Sequence, residues 1–258
     1  MIYTCFDMVR DCRADRTEGW TYFVTQYTPV IRRILAHYAS DDPQRVERIL
    51  RESRSPESTL FQSVDPSPER WFIAELRQKI LATVPASEPD ILLDLETVAA
   101  ALEPLTVVEK LAAWIETMRY DAATTAAMLR MSPETVAKIR DRASELIRGK
   151  ADAWRSGILL DNGPALGRAA ASTGSKDCFP SKVFLDILDG QSTWSVREST
   201  ERHVTACWRC IDHFCRMAEV IQLVRGIRPL TPEEATPLLD TLGIRREKPP
   251  LWKRWLGA

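Results

Sequence analysis

Three side chains able to bind a soft metal fall in one short run, His203-Val-Thr-Ala-Cys207-Trp-Arg-Cys210. Continued as one helix, these positions sit at about 0°, 400° and 700°, so one imidazole and two thiolates converge within about 60° of the same face. They supply three of the four ligands that a tetrahedral structural Zn²⁺ takes. Cys178 is the candidate for the fourth, because it precedes a short helical stretch, Ser181 to Asp189, which Gly190 stops and which can fold back on the first. Cys215 lies about 120° and His213 about 80° off the ligand arc, so neither joins it on an unbroken helix. The plainer alternative is three half-buried residues on a helix, with cysteine acting as a small hydrophobe. Six cysteines in 258 residues are too few for a disulfide scaffold, and three of them crowd into Cys207 to Cys215, which favours a metal in a reducing compartment. An enzymatic zinc site is disfavoured. Zinc deaminases need a Glu two residues after the His and a Pro before the Cys pair, whereas here Glu201 precedes His203 and Ala206 precedes Cys207. A full set of four protein ligands also leaves no open position for water.

A second constellation has the pattern of a helix-turn-helix. Ala122 to Leu129 reads as a short helix of small residues, Arg130-Met131 turns, and Ser132-Pro133 opens a new helix with a good N-cap and a proline at the first helical position. Val136, Ile139, Ala143, Leu146 and Ile147 share an arc of about 100°, which sets the buried face. Such a unit puts its second helix in a DNA major groove, although a plain helical hairpin has the same spacing. Thr135, Lys138, Arg140 and Arg142 are the candidate DNA contacts, with Lys150 beyond them. Outward Glu134, Asp141 and Glu145 repel phosphates, so DNA binding is expected to be weak, backbone-led and steeply salt-dependent.

The elements that must carry these residues are helical: glycine is scarce, at 10 residues, and apolar spacing runs at three and four. Trp20, Phe23, Val24, Tyr27, Ile31, Ile34, Leu35 and Tyr38 mark a long amphipathic helix; Val46, Ile49 and Leu50 mark a second; Trp71, Phe72, Leu76 and Ile80 mark a third beyond a Ser- and Pro-rich loop, 53–68. The expected fold class is all-α. Two small helical domains, 1–88 and 89–150, meet at a Pro-rich joint (85–89); a Gly-, Ala- and Ser-rich stretch, 151–177, reads as a flexible linker; and 178–258 reads as a zinc-binding domain ending in a basic tail with Trp252 and Trp255. Hydrophobic residues make up 45% and charged residues 28%, and 35 Lys+Arg against 36 Asp+Glu exclude a polycation that coats nucleic acid in bulk. No run approaches the roughly 18 apolar residues of a membrane span, and Met1 to Arg13 lacks the apolar core of a signal peptide, so a cytoplasmic protein without a membrane partner is expected.

Two resemblances sharpen these expectations. Leu102 to Arg148, with its leucines ahead of the hairpin, its Ser-Pro-x-Thr-Val helix start and its Arg142-Ala143, resembles region four of extracytoplasmic-function sigma factors. Gly19 to Tyr38 with Trp71 to Leu81 is similar to region two of the same family. The resemblance implies binding to the RNA polymerase core and to promoter DNA. It also implies an acidic, leucine-bearing clamp helix where this chain has Pro43 to Ser53, which is more basic than acidic. Asp177-Cys178-Phe-Pro180 through Leu185, Asp189-Gly190, Glu198, Glu201 and His203-x-x-x-Cys207-x-x-Cys210 resemble the zinc-binding anti-sigma domain, whose ligand set implies Cys178, His203, Cys207 and Cys210. Together they imply a transcription regulator whose zinc domain packs on its own sigma-like helices, through Phe184, Leu185, Ile221 and Leu223, across a linker spanning about 30 Å. The other reading is a sigma-fold adaptor or inhibitor that binds a protein partner and no longer initiates transcription.

Overall fold

The computed structural model describes residues 2–39, 42–55, 58, 60–62, 69–83, 92–148 and 158–244. Among them are thirteen helices and no strand: α1 (Cys5–Arg13), α2 (Thr17–Tyr38), α3 (Pro43–Arg54), α4 (Glu69–Thr83), α5 (Leu95–Leu102), α6 (Val107–Glu116), α7 (Ala122–Leu129), α8 (Pro133–Arg148), α9 (Ile158–Ser172), α10 (Ser181–Leu188), α11 (Trp194–Val204), α12 (Trp208–Leu223) and α13 (Pro232–Thr241). The all-α expectation holds. The joint at 85–89, Lys150 and the basic tail lie outside the described residues.

The chain divides into two compact units. The first comprises Met1–Ile80 and Gly226–Ala258, and the second Leu81–Arg225. In the first unit the stripe expected on α2 is buried, and Trp20, Phe23 and Tyr27 meet Phe61 and Phe72 in edge-on and stacked pairs 5.0–6.2 Å apart. Pro29 interrupts α2's own hydrogen bonding, because it has no N–H to offer the carbonyl of Thr25. The backbone N–H of Leu230 donates to that carbonyl instead, at 2.9 Å, and α13 packs beside α2. Arg54 reinforces the join: it donates to the Leu242 carbonyl and pairs with Asp15 at 3.1 Å. The residues from Gly226 to Ile244 therefore belong with the N-terminal helices, not with the zinc-type block as the 178–258 boundary supposes.

In the second unit the sequence boundary at 150 also dissolves. The presumed linker 151–177 contains α9, whose Ile158, Leu159, Asn162, Gly163, Leu166 and Ala170 are buried; 151–157 lie outside the described residues. Glycine here serves close approach rather than flexibility. A Cβ on Gly163 would stand 2.2 Å from the carbonyl oxygen of Thr117, just past the end of α6. Asn162 adds a polar tie: its Oδ1 accepts from Leu93 N–H at 2.9 Å and its Nδ2 donates to the Ile158 carbonyl. Gly163→Ala should force α9 off α6 and destabilise the protein by about 3 kcal/mol, the upper range for overpacking, and denaturant unfolding of the variant checks this.

The α7–α8 turn matches the sequence reading in its local chemistry. Arg130 closes α7 in the left-handed region (φ 55°), and Ser132 Oγ accepts from Thr135 N–H at 3.1 Å ahead of Pro133. Val136, Ile139, Ala143 and Ile147 are buried as expected, while Leu146 is half-buried.

Candidate metal centre and its packing

His203, Cys207 and Cys210 do not lie on one helix. α11 ends at Val204, and α12 begins at Trp208 with Cys207 as its N-cap. His203 therefore projects from the last turn of one helix, Cys207 from the corner and Cys210 from the first turn of the next. The turn is tightened by short-range bonds from Ala206 N–H to His203 O and from Cys207 N–H to Val204 O, at 3.2 and 3.4 Å. Beneath it Lys110, a buried lysine on α6, donates to the Thr205 carbonyl at 3.0 Å and satisfies an acceptor that the helix end leaves open. The corner replaces the single face expected from the sequence, yet it brings the same residues together.

Cys178 completes the group from the segment before α10, which ends at Leu188 with Gly190 just beyond in a left-handed conformation (φ 74°). The three sulfurs and the imidazole nitrogen all lie within 4.8 Å of one another, an arrangement that could hold a metal ion. Cys178 Sγ and Cys207 Sγ are 3.7 Å apart, close to the spacing of about 3.8 Å that a tetrahedral ion with bonds of about 2.3 Å to sulfur imposes. Nε2 of His203 is buried and has no hydrogen-bond partner.

The surroundings divide the thiols. Burial raises Cys178, but the Ser175 backbone N–H, at 3.3 Å from its sulfur, and the nearby side chains of His203, Cys207 and Ser175 outweigh it and hold the thiol down to about 6. Cys210 is pushed up to about 12, chiefly by burial, against the lowering effect of the Phe179 backbone N–H. One group is thus ready to act as a thiolate. The other needs a cation to remain one, and the N-terminus of α12 adds favourable potential for both cysteines on it.

His213 and Cys215 stand outside the cluster, as expected. Cys215 is buried, with its sulfur 3.7 Å from the Leu111 carbonyl, and His213 Nε2 lies 3.0 Å from Ser181 Oγ. Burial, and then the charges of Arg216 and Arg209, lower His213 to about 4. The unfolded chain binds more protons than the folded one in this range, so stability should be complete above about pH 6.5 and lost as pH falls toward 4, by on the order of 3 kcal/mol. Comparing wild type with His213→Gln across that window, both stripped of metal, isolates this contribution, since only the wild type should show it.

The candidate DNA contacts fare unevenly. Thr135 and Lys138 are exposed on α8. Arg140 points inward, donating to the Tyr120 carbonyl and, at 3.4 Å, to Thr125 Oγ1; Arg142 pairs with Glu109 at 3.0 Å. Glu134, Asp141 and Glu145 remain exposed.

What the sequence reading missed is how the metal-type corner meets the hairpin block. Trp114, fully buried on α6, donates to Asp212 Oδ1 at 3.2 Å, and its ring lies 5.2 Å from that of Trp208. Asp212 also pairs with Arg216 at 2.7 Å. Tyr120 OH donates to Glu219 at 3.0 Å. Docking thus runs through α12 and mixes polar with aromatic groups. Of the residues expected to carry it, Phe184, Leu185 and Leu223 are buried and Ile221 is only half-buried, with the Phe184 ring edge-on against His213 and Phe214. Buried charges on an otherwise apolar face, Asp212 and Glu219 on α12, were the available signal. Compared with protein-family models, with curated proteins and with solved structures, the chain shows no match.

Proposed function

We propose that this protein is a transcription regulator on the plan of an extracytoplasmic-function sigma factor, controlled by a Zn²⁺-bearing helical block in the same chain. The observation that carries the reading is the docking of α12 on α6: the helix that begins at the Cys-His corner packs on the helix immediately before the α7–α8 hairpin. Three thiolates and an imidazole in a closed, tetrahedral-sized group favour Zn²⁺, and with four protein ligands the role is structural rather than catalytic. The zinc-bearing block holds the hairpin block in a state that is off polymerase and promoter. The full chain, zinc-loaded and zinc-free, is to be tested for capture of RNA polymerase core and for retention of promoter DNA at rising salt. Capture that increases when zinc is removed is the expected result, and no capture in either state overturns the reading.

The second reading, a sigma-fold adaptor that binds a protein partner in place of polymerase, is favoured by the fate of the basic residues on α8. Arg140 is committed internally, Arg142 is paired with Glu109, and three acids stay outward. Under it, DNA retention is absent even at low salt.

A further inference from the structure

Three of the cluster's residues come from one continuous segment, His203 to Cys210, fixed to the start of α12. The fourth, Cys178, comes from a separate limb, so its position depends on whatever ties that limb to α12. Following the chain outward from Cys178, the Phe179 ring meets His203 edge-on at 5.4 Å and its backbone N–H faces the Cys210 sulfur. Pro180 then sets an extended residue, φ −71° and ψ 156°. Ser181 opens α10, and its Oγ is 3.0 Å from Nε2 of His213, three residues past Cys210 on α12.

We propose that the Ser181–His213 hydrogen bond is the strut that positions Cys178 as a ligand, so that two residues which touch no metal set the affinity of the site and the number of its thiolates. The inference rests on the metal-site reading above. His213 suits the role because Phe184 packs against its ring at 5.1 Å, which fixes the imidazole in place. With its pKa held near 4, the ring is neutral at physiological pH. A neutral imidazole nitrogen and a hydroxyl complete a bond in either tautomer, since the hydroxyl both donates and accepts. Removing the hydroxyl breaks this hydrogen bond between α10 and α12, and Cys178 gains freedom to swing away. Neighbours that orient a metal's ligands are worth about 10–100-fold in affinity.

The test uses the full chain, stripped of metal under reducing, anaerobic conditions and titrated with Co²⁺ in competition with a chromophoric chelator. The dissociation constant reports affinity, and sulfur-to-cobalt charge-transfer absorption per bound cobalt reports the number of thiolates. Ser181→Ala should weaken binding about tenfold or more, lower the charge-transfer intensity and speed alkylation of Cys178 in the loaded protein. Ser181→Thr, which keeps the hydroxyl, should restore all three. Wild-type affinity and spectrum in Ser181→Ala would overturn the strut while leaving the metal site standing, and so would failure of Ser181→Thr to rescue. A wild-type chain that takes up no Co²⁺ would overturn the metal reading, and the strut with it.

Discussion

Stripping the metal, or removing one thiolate with Cys207→Ser, should cost more than about 4 kcal/mol, the scale of losing a structural staple, and should do so unevenly along the chain. α11 buries only Thr200 and Val204, so apart from the Cys-His corner little holds it in place. α12 is different, with Ile211, Cys215, Met217, Ala218, Val220 and Leu223 all buried and its side chains bonded to α6 and Tyr120. Hydrogen exchange should therefore show protection lost across 178–204 and lowered, but not abolished, across 211–223, where loss of the Cys-His corner loosens the start of α12 on α6. Elemental analysis of protein purified without chelator should find one zinc per chain. A chelated protein with the same melting temperature and the same exchange pattern would show that the four residues are only packed together.

Trp114→Ala should give the next largest effect. Deleting a fully buried indole costs about 3–5 kcal/mol, and Asp212, nearly inaccessible at 4% exposure, loses one of its two partners. Trp114→Phe separates the two contributions: it keeps an aromatic ring near Trp208 but removes the N–H, and should cost about 1–3 kcal/mol for the unpaired carboxylate oxygen. Under the proposed function the alanine variant should also capture polymerase without zinc removal, because it loosens the same α6–α12 packing. Urea unfolding alongside the capture assay checks both, and a Trp114→Ala protein as stable as wild type would contradict the burial described for it.

The parts of the molecule that were legible in the sequence are those whose signal is local. The α2 stripe, the Ser132-Pro133 start of α8 and the stop at Gly190 each follow from spacing or capping within a few residues, and each has its counterpart in the structure. The four metal-type residues were legible because three of them crowd into eight positions. Their geometry was not: a single helix and a corner at Thr205–Cys207 have the same sequence signature, and what favours the corner is Lys110, ninety-five residues upstream in sequence. α9 was hidden for a related reason. Gly163, Gly167 and the small residues Ala169 to Ser172 read as a linker by composition, yet Gly163 is small because the Thr117 backbone passes 2.2 Å from where its Cβ would be. Small residues mean flexibility only when nothing packs on them, and the partner is a distant one.

Leu230's hydrogen bond to Thr25 has a consequence for the newborn chain. The first unit is discontinuous, its N-terminal helices waiting for Gly226 to Ile244 while the 145 residues of Leu81–Arg225 are made. At about 5–20 residues per second, the ribosome takes on the order of 10 seconds to reach the segment that caps the Thr25 carbonyl. During that interval α2 carries an unfilled acceptor, the Thr25 carbonyl that Pro29 cannot satisfy, and an uncovered flank where α13 will pack. The second unit, contiguous in sequence, has no such wait and can close first. The most N-terminal helices are thus made first yet gain their last packing partner only after the whole of the second unit has been synthesised, and a chain released before residue 226 would lack that partner.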